Sequence, residues 1–192
     1  MLFNKEVIYR EIIEEALKRN VSFTQLAIAK KFKFSLSTVN NALRPLVEIG
    51  AITKRHLGFD IIDVKKLLLY WSSTRKLSKD IIYKTRAELP VIKIEASLPN
   101  GCIYAAFSAY RFLYNDAPAD YSEVYAYADI SLLEEIKKRF PQSKGPENLI
   151  VLEPDKFLNE KMPVSQIYVD LWNIREWYAR DFINALDKRL RL

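Results

Sequence analysis

The sequence predicts an α+β protein, with a helical head followed by a small α+β body. Apolar residues recur at helical spacing through residues 5–49, and the period then shortens into two runs on either side of Gly58. Beyond residue 75, short apolar runs alternate with amphipathic stretches. The division expected from this pattern is residues 1–74 and residues 75–192.

The chain has 192 residues, 49% hydrophobic and 28% charged, a composition that buries a core and excludes disorder as the default. Residues 60–71 and 101–113 are the most apolar stretches, and both fall short of the roughly 20 residues that a membrane span needs. Lys5, Glu6 and Arg10 interrupt the N-terminus, which therefore does not read as a secretory signal. A cytoplasmic protein with no membrane partner is expected. Cys102 is the single cysteine and His56 the single histidine, so neither an internal disulfide nor a structural zinc site is expected. No metal and no cofactor is expected, and Cys102 reads as a buried thiol.

Charge separates the two parts. Residues 1–86 hold 17 Lys and Arg against 8 Asp and Glu, which is +9, while residues 87–192 hold 13 against 16, which is −3. A basic head on a mildly acidic body suits binding of a phosphate backbone, although a solvated lysine-rich surface would have the same balance.

In the head, Asn4 is placed to cap a helix over residues 5–19, whose apolar stripe is Val7, Ile8, Ile12, Ala16 and Leu17. Residues 22–32 read as a second helix, with Ser22 and Gln25 at capping-box spacing and Leu26, Ala27 and Ala29 as packing positions. Lys33 and Phe34 make a short turn, and a third helix runs from Ser35 to Ile49, stopped by Gly50. Helical spacing places Leu36, Val39, Leu43 and Leu46 toward the core and Ser37, Asn40, Asn41 and Arg44 away from it. Pro45 inside this helix predicts a kink after Arg44.

The outward face has the chemistry of base edges: Asn pairs with adenine and Arg with guanine through two hydrogen bonds each. Asn40, Asn41 and Arg44 are the candidate base readers, while Ser35, Ser37 and Thr38, near a helix start, suit phosphates. Residues 51–55 and 59–62 then read as a hairpin whose tip carries Lys54, Arg55 and His56, placed for a backbone or a minor groove. Lys30, Lys31 and Lys33 add cations at the turn between the second and third helices.

This order, together with Ser37-Thr38-Val39-Asn40-Asn41-Ala42-Leu43-Arg44-Pro45-Leu46-Val47-Glu48-Ile49-Gly50-Ala51-Ile52, resembles the winged helix-turn-helix of many bacterial and archaeal regulators. The resemblance implies a double-stranded DNA-binding transcription regulator. Some winged helices dock only proteins, and the basic head favours DNA over that use.

Residues 64–71 read as a strongly apolar helix that needs a partner, either inside the chain or on a second subunit of a homodimer. A short helix is expected near residues 80–86, a strand at 91–96, a helix at 101–113, strands at 122–128, 149–153 and 166–171, and a final amphipathic helix over 174–190. The final helix is expected to bury Ile174, Trp177, Tyr178, Phe182, Ala185, Leu186 and Leu190.

Three segments of the body, Ala105-Ala106-Phe107-Ser108-Ala109-Tyr110, Glu123-Val124-Tyr125-Ala126-Tyr127 and Val164-Ser165-Gln166-Ile167-Tyr168-Val169-Asp170-Leu171, look like those of AbiEi-like antitoxins. These are winged-helix regulators of type IV toxin-antitoxin systems linked to phage defence. That resemblance implies autorepression of the operon promoter, an antitoxin role for the body and a toxin or other protein partner.

The order of elements is also similar to a minimal nucleotidyltransferase, in degenerate form. That chemistry needs a Gly-Ser turn and two carboxylates one residue apart on a strand. Here Tyr125 stands where the second carboxylate after Glu123 is required, and Asn100-Gly101-Cys102 lacks the serine. Asp129 and Asp170 remain as an irregular pair, read more simply as solvated or capping groups. No enzyme and no catalytic residue is expected; the alternative is a DNA-targeted protein with an active nucleotidyltransferase-like body.

Overall fold

Helix α1 (Asn4–Leu17) buries more than the single apolar stripe its sequence announces. Val7, Ile8, Tyr9, Ile12, Ile13 and Ala16 are buried, and so are Glu6 and Arg10. The computed structural model, which describes residues 4–158 and 161–192, shows why: α1 is packed between elements of the head and elements of the body.

The head continues with β1 (Ser22–Phe23), α2 (Gln25–Phe32), α3 (Leu36–Glu48), β2 (Ile52–Arg55) and β3 (Gly58–Ile61). The second helix is shorter than expected. Ser22 and Phe23 do not cap it; they pair antiparallel with Asp60 and Phe59 of β3, and Phe23 stacks on Phe59. Thr24 is the cap, its Oγ1 accepting from the Ala27 N–H at 3.1 Å. Ile28, Ala29 and Phe32 bury the packing face of α2, while Leu26 and Ala27 are exposed, contrary to the expected assignment. In α3, Val39, Ala42, Leu43 and Leu46 are buried. Leu36 shares their side by periodicity but is 52% exposed, because it lies in the first turn, outside the packed cluster.

Helix α4 (Val64–Thr74) buries Leu67, Leu68 and Trp71 against α1 and α8 (Val164–Trp172), so its apolar surface is covered within the chain. A single buried cluster runs from Val7 of the head to Leu186 of the body.

The body centres on a mixed sheet in the order β4 (Ile81–Thr85), β7 (Leu149–Leu152), β6 (Val124–Tyr127) and β5 (Ile103–Ala105). β4 runs antiparallel to β7, β7 parallel to β6, and β6 antiparallel to β5. β6 and β7 are buried on both faces. Tyr125, Tyr127, Ile150 and Leu152 face the larger cluster with α6 (Ala106–Tyr114), α8 and α9 (Ala179–Leu190), whereas Val124, Ala126, Leu149 and Val151 face a smaller one with Ile94 and Leu98 of the α5 side (Val91–Ser97) and Ile136 of α7 (Leu133–Arg139).

Several expected elements of the body change type. Residues 80–86 are mostly β4 rather than a helix, because Ile81, Tyr83, Lys84 and Thr85 find ladder partners on β7. Residues 91–96 form α5, entered through Pro90, rather than a strand. The run 101–113 divides into β5 and α6, since Ile103, Tyr104 and Ala105 pair with β6. Residues 166–171 belong to α8, not to a strand; a short, continuously apolar run suits either element when it is wholly buried. The last helix begins only at Ala179, leaving Trp177 before it and 79% exposed.

Head and body are joined by buried charge. Arg75, at the end of α4, lies beside Glu6 of α1 (2.8 Å), Asp80 (3.0 Å) and Asp170 of α8 (3.1 Å), and donates to the Tyr127 hydroxyl. Arg10 makes a bidentate pair with Asp155 at 2.7 and 2.8 Å and also donates to Gln166.

Candidate nucleic-acid interface

The site is built upward from the cap of α3. Ser35 has extended backbone, and its Oγ accepts from the Thr38 N–H at 3.0 Å, which starts the helix cleanly after the Lys33-Phe34 turn. Lys33 occupies the left-handed region at φ 56°, closing α2 so that α3 can leave in a new direction. The Thr38 hydroxyl is 2.9 Å from that of Ser35, so both are engaged in the cap, while Ser37 remains exposed.

Asn40, Asn41 and Arg44 are exposed. With Ser37 they occupy positions i, i+3, i+4 and i+7, which places four polar side chains on one side of α3 opposite its buried residues. No hydrogen bond or ion pair occupies Asn40, Asn41 or Arg44 among the described residues, so their donors and acceptors face solvent. A recognition surface requires this availability.

α3 passes through Pro45 to Glu48, and Gly50, at φ 68°, turns the chain into β2. The β2–β3 hairpin pairs Ile52 with Ile61 and closes with Arg55 opposite Gly58, leaving His56 and Leu57 as a two-residue tip. Lys54, Arg55 and His56 are exposed there. Arg55 is tethered by Asp60 at 3.0 Å, and Asp60 in turn accepts from the Ser22 hydroxyl at 2.6 Å. Gly58 is required for space: a side chain there would begin 2.0 Å from the Phe23 carbonyl oxygen.

The predicted cations differ in how free they are. Lys31 is ion-paired with Glu11 of α1 and lies over the Phe32 ring, so part of its charge is already used within the chain. Lys33 and Lys54 carry no such partner among the described residues, and neither does Lys30 of α2, which also faces solvent. Leu57 carries no polar or basic signal in the sequence, yet it is 78% exposed at the centre of the tip.

The carboxylates considered for metal chemistry are dispersed. Asp170 is buried against Arg75, Tyr127 and Gln166, Asp129 is exposed and caps a turn through the Ser131 N–H, and Glu123 accepts from the Tyr178 hydroxyl. An open cleft of about 570 Å³ lies between α1, Phe157 and residues 161–164, and on its walls Glu11 is paired with Lys31 and Glu15 with Lys18. No family model, curated protein or solved structure matches the chain.

Proposed function

We propose that the protein is a sequence-specific double-stranded DNA-binding transcription regulator whose head works as a winged helix-turn-helix. The observation that carries this reading is the unoccupied polar face of α3, formed by Ser37, Asn40, Asn41 and Arg44, followed directly by a hairpin with exposed Lys54, Arg55 and His56. In this reading α3 lies in the major groove, Asn40, Asn41 and Arg44 read bases, the α2–α3 turn holds phosphates and the hairpin is the wing. The +9 charge of residues 1–86 supplies the phosphate attraction.

The body is proposed as a non-catalytic partner module, and the protein as an autorepressor serving as the antitoxin of a phage-defence system. The likeness of residues 105–110, 123–127 and 164–171 to AbiEi-like antitoxins supports this narrower role. Burial of Tyr125 and capture of Asp170 by Arg75 support a body without metal-dependent transfer chemistry. Because residues 165–171 are all buried, a toxin or a second copy would meet the body elsewhere on its surface.

The test is binding of the purified protein to its own upstream DNA and to random duplex, titrated over salt, with an Asn41→Ala, Arg44→Ala variant alongside. Selective binding that the variant loses is expected, with a log-log salt slope of about 0.9 per phosphate contact. Absence of salt-dependent binding to either duplex would overturn the reading and leave the head as a protein-docking module.

A further inference from the structure

The hairpin tip exposes an apolar side chain to solvent. Arg55 and Gly58 close the hairpin around His56 and Leu57, and neither tip residue adopts a positive φ. Leu57 is 78% exposed and belongs to neither core cluster, so it is not part of the packed interior. The strand that leaves the tip, by contrast, is firmly braced. β1 pairs with β3, the Phe23 and Phe59 rings stack at 5.4 Å, and Gly58 fits closely under the Phe23 carbonyl. The result is a stiff prong with one apolar point surrounded by exposed Lys54, Arg55 and His56.

Resting on the DNA-binding reading above, we infer that Leu57 is a minor-groove wedge: the tip enters the groove of duplex DNA, and Leu57 partly unstacks a base step and bends the duplex. Cations around an apolar point suit this partner. Lys54 and Arg55 meet the phosphates that border the groove, while the Leu57 side chain leaves water only by sliding between base planes. The braced strand matters because a wedge that yields cannot transmit a bend. Unstacking costs least at pyrimidine–purine steps, so Leu57 would favour TA and CA steps without hydrogen-bonding any base. Selectivity at the wing would then come from deformability, and selectivity at α3 from base edges.

The probe is an end-labelled duplex of about 40 base pairs with a TA step in each helical turn of about 10.5 base pairs, 2-aminopurine replacing adenine at those steps. Wild type, Leu57→Ala and Leu57→Met are compared at saturation. The wild type is expected to raise end-to-end energy transfer, corresponding to a bend within about 20–90°, and to brighten 2-aminopurine. Leu57→Ala is expected to keep its thermal midpoint and to bind within about tenfold of wild type while losing both signals. Leu57→Met, which keeps the apolar volume, is expected to retain them. A wild-type bend and fluorescence in Leu57→Ala, or binding by the wild type without either signal, would overturn the wedge and leave DNA binding intact. Failure of the wild type to bind both this duplex and its upstream DNA would overturn the DNA-binding reading and the wedge with it.

Discussion

The Arg75 Nε lies 3.1 Å from the Asp170 Oδ1, and the two side chains are 1% and 0% exposed. Burial works against the charge on Arg75, but the carboxylates of Asp170, Glu6 and Asp80 outweigh it, and its proton is held more tightly than in water. Burial pushes the Asp170 carboxyl up, with the guanidinium opposing that rise. α1, the end of α4, α8 and β6 all contribute a member of this cluster, so the cluster joins head to body.

Replacing Arg75 with Met leaves Glu6 and Asp170 buried without their shared cation, and is expected to cost about 3–5 kcal/mol. Asp170→Asn keeps the shape and contacts with Tyr127 and Gln166 and should cost less. Urea unfolding of wild type and both variants measures this order. Equal losses would show that Asp170 is held mainly by its charge.

Gly58→Ala places a methyl against the backbone oxygen of Phe23, which cannot rotate away as a side chain would. β1 must separate from β3, with an expected loss of about 1–3 kcal/mol. Faster amide exchange at Phe59 and Ile61, whose N–H groups lie in this small sheet, is the local readout.

Phe157, in the loop after β7, presents its ring to Phe32 at 5.0 Å and to Phe34 at 6.0 Å, both nearly perpendicular. Phe34 directly precedes the cap of α3, so a body residue steadies the entrance to α3. Phe157→Ala is expected to lower stability by about 2 kcal/mol, part of the usual Phe-to-Ala loss because the ring is only half-buried. Faster hydrogen exchange over residues 33–36 should accompany it.

Burial, with Glu135 adding to it, pushes the Cys102 thiol up to about 11, so at neutral pH it is protonated and slow to react. The rate of alkylation by iodoacetamide in the folded protein is expected to rise with pH and reach half its plateau near 11. A thiol raised from 9.0 in this way contributes stability that is complete below pH 9 and is lost as pH rises through about 11. Cys102→Ser should remove that part of the alkaline destabilisation, as read from thermal midpoints between these limits.

Much of the head was legible because its signals are local. Ser35 as a cap, the buried Val39, Leu43 and Leu46, the turn at Gly50 and the two hairpin strands follow from spacing and from residues that start or stop an element within a few positions. The exposure of Asn40, Asn41 and Arg44 follows from the same helical period. Ser22 and Phe23 escaped this reading because their partner, β3, lies more than thirty residues away.

The sequence by itself determined an α+β chain, a basic N-terminal part, and the faces of α3, since net charge and periodicity require no knowledge of distant residues. Tertiary structure alone decided that residues 81–85 are strand and 164–172 helix, because a short buried apolar run takes its form from the partners it meets. It also decided the fate of the charges. Glu6, Arg10, Arg75 and Asp170 look like ordinary surface residues in sequence, and only the packing of α1, α4 and α8 excludes water from them and makes them partners.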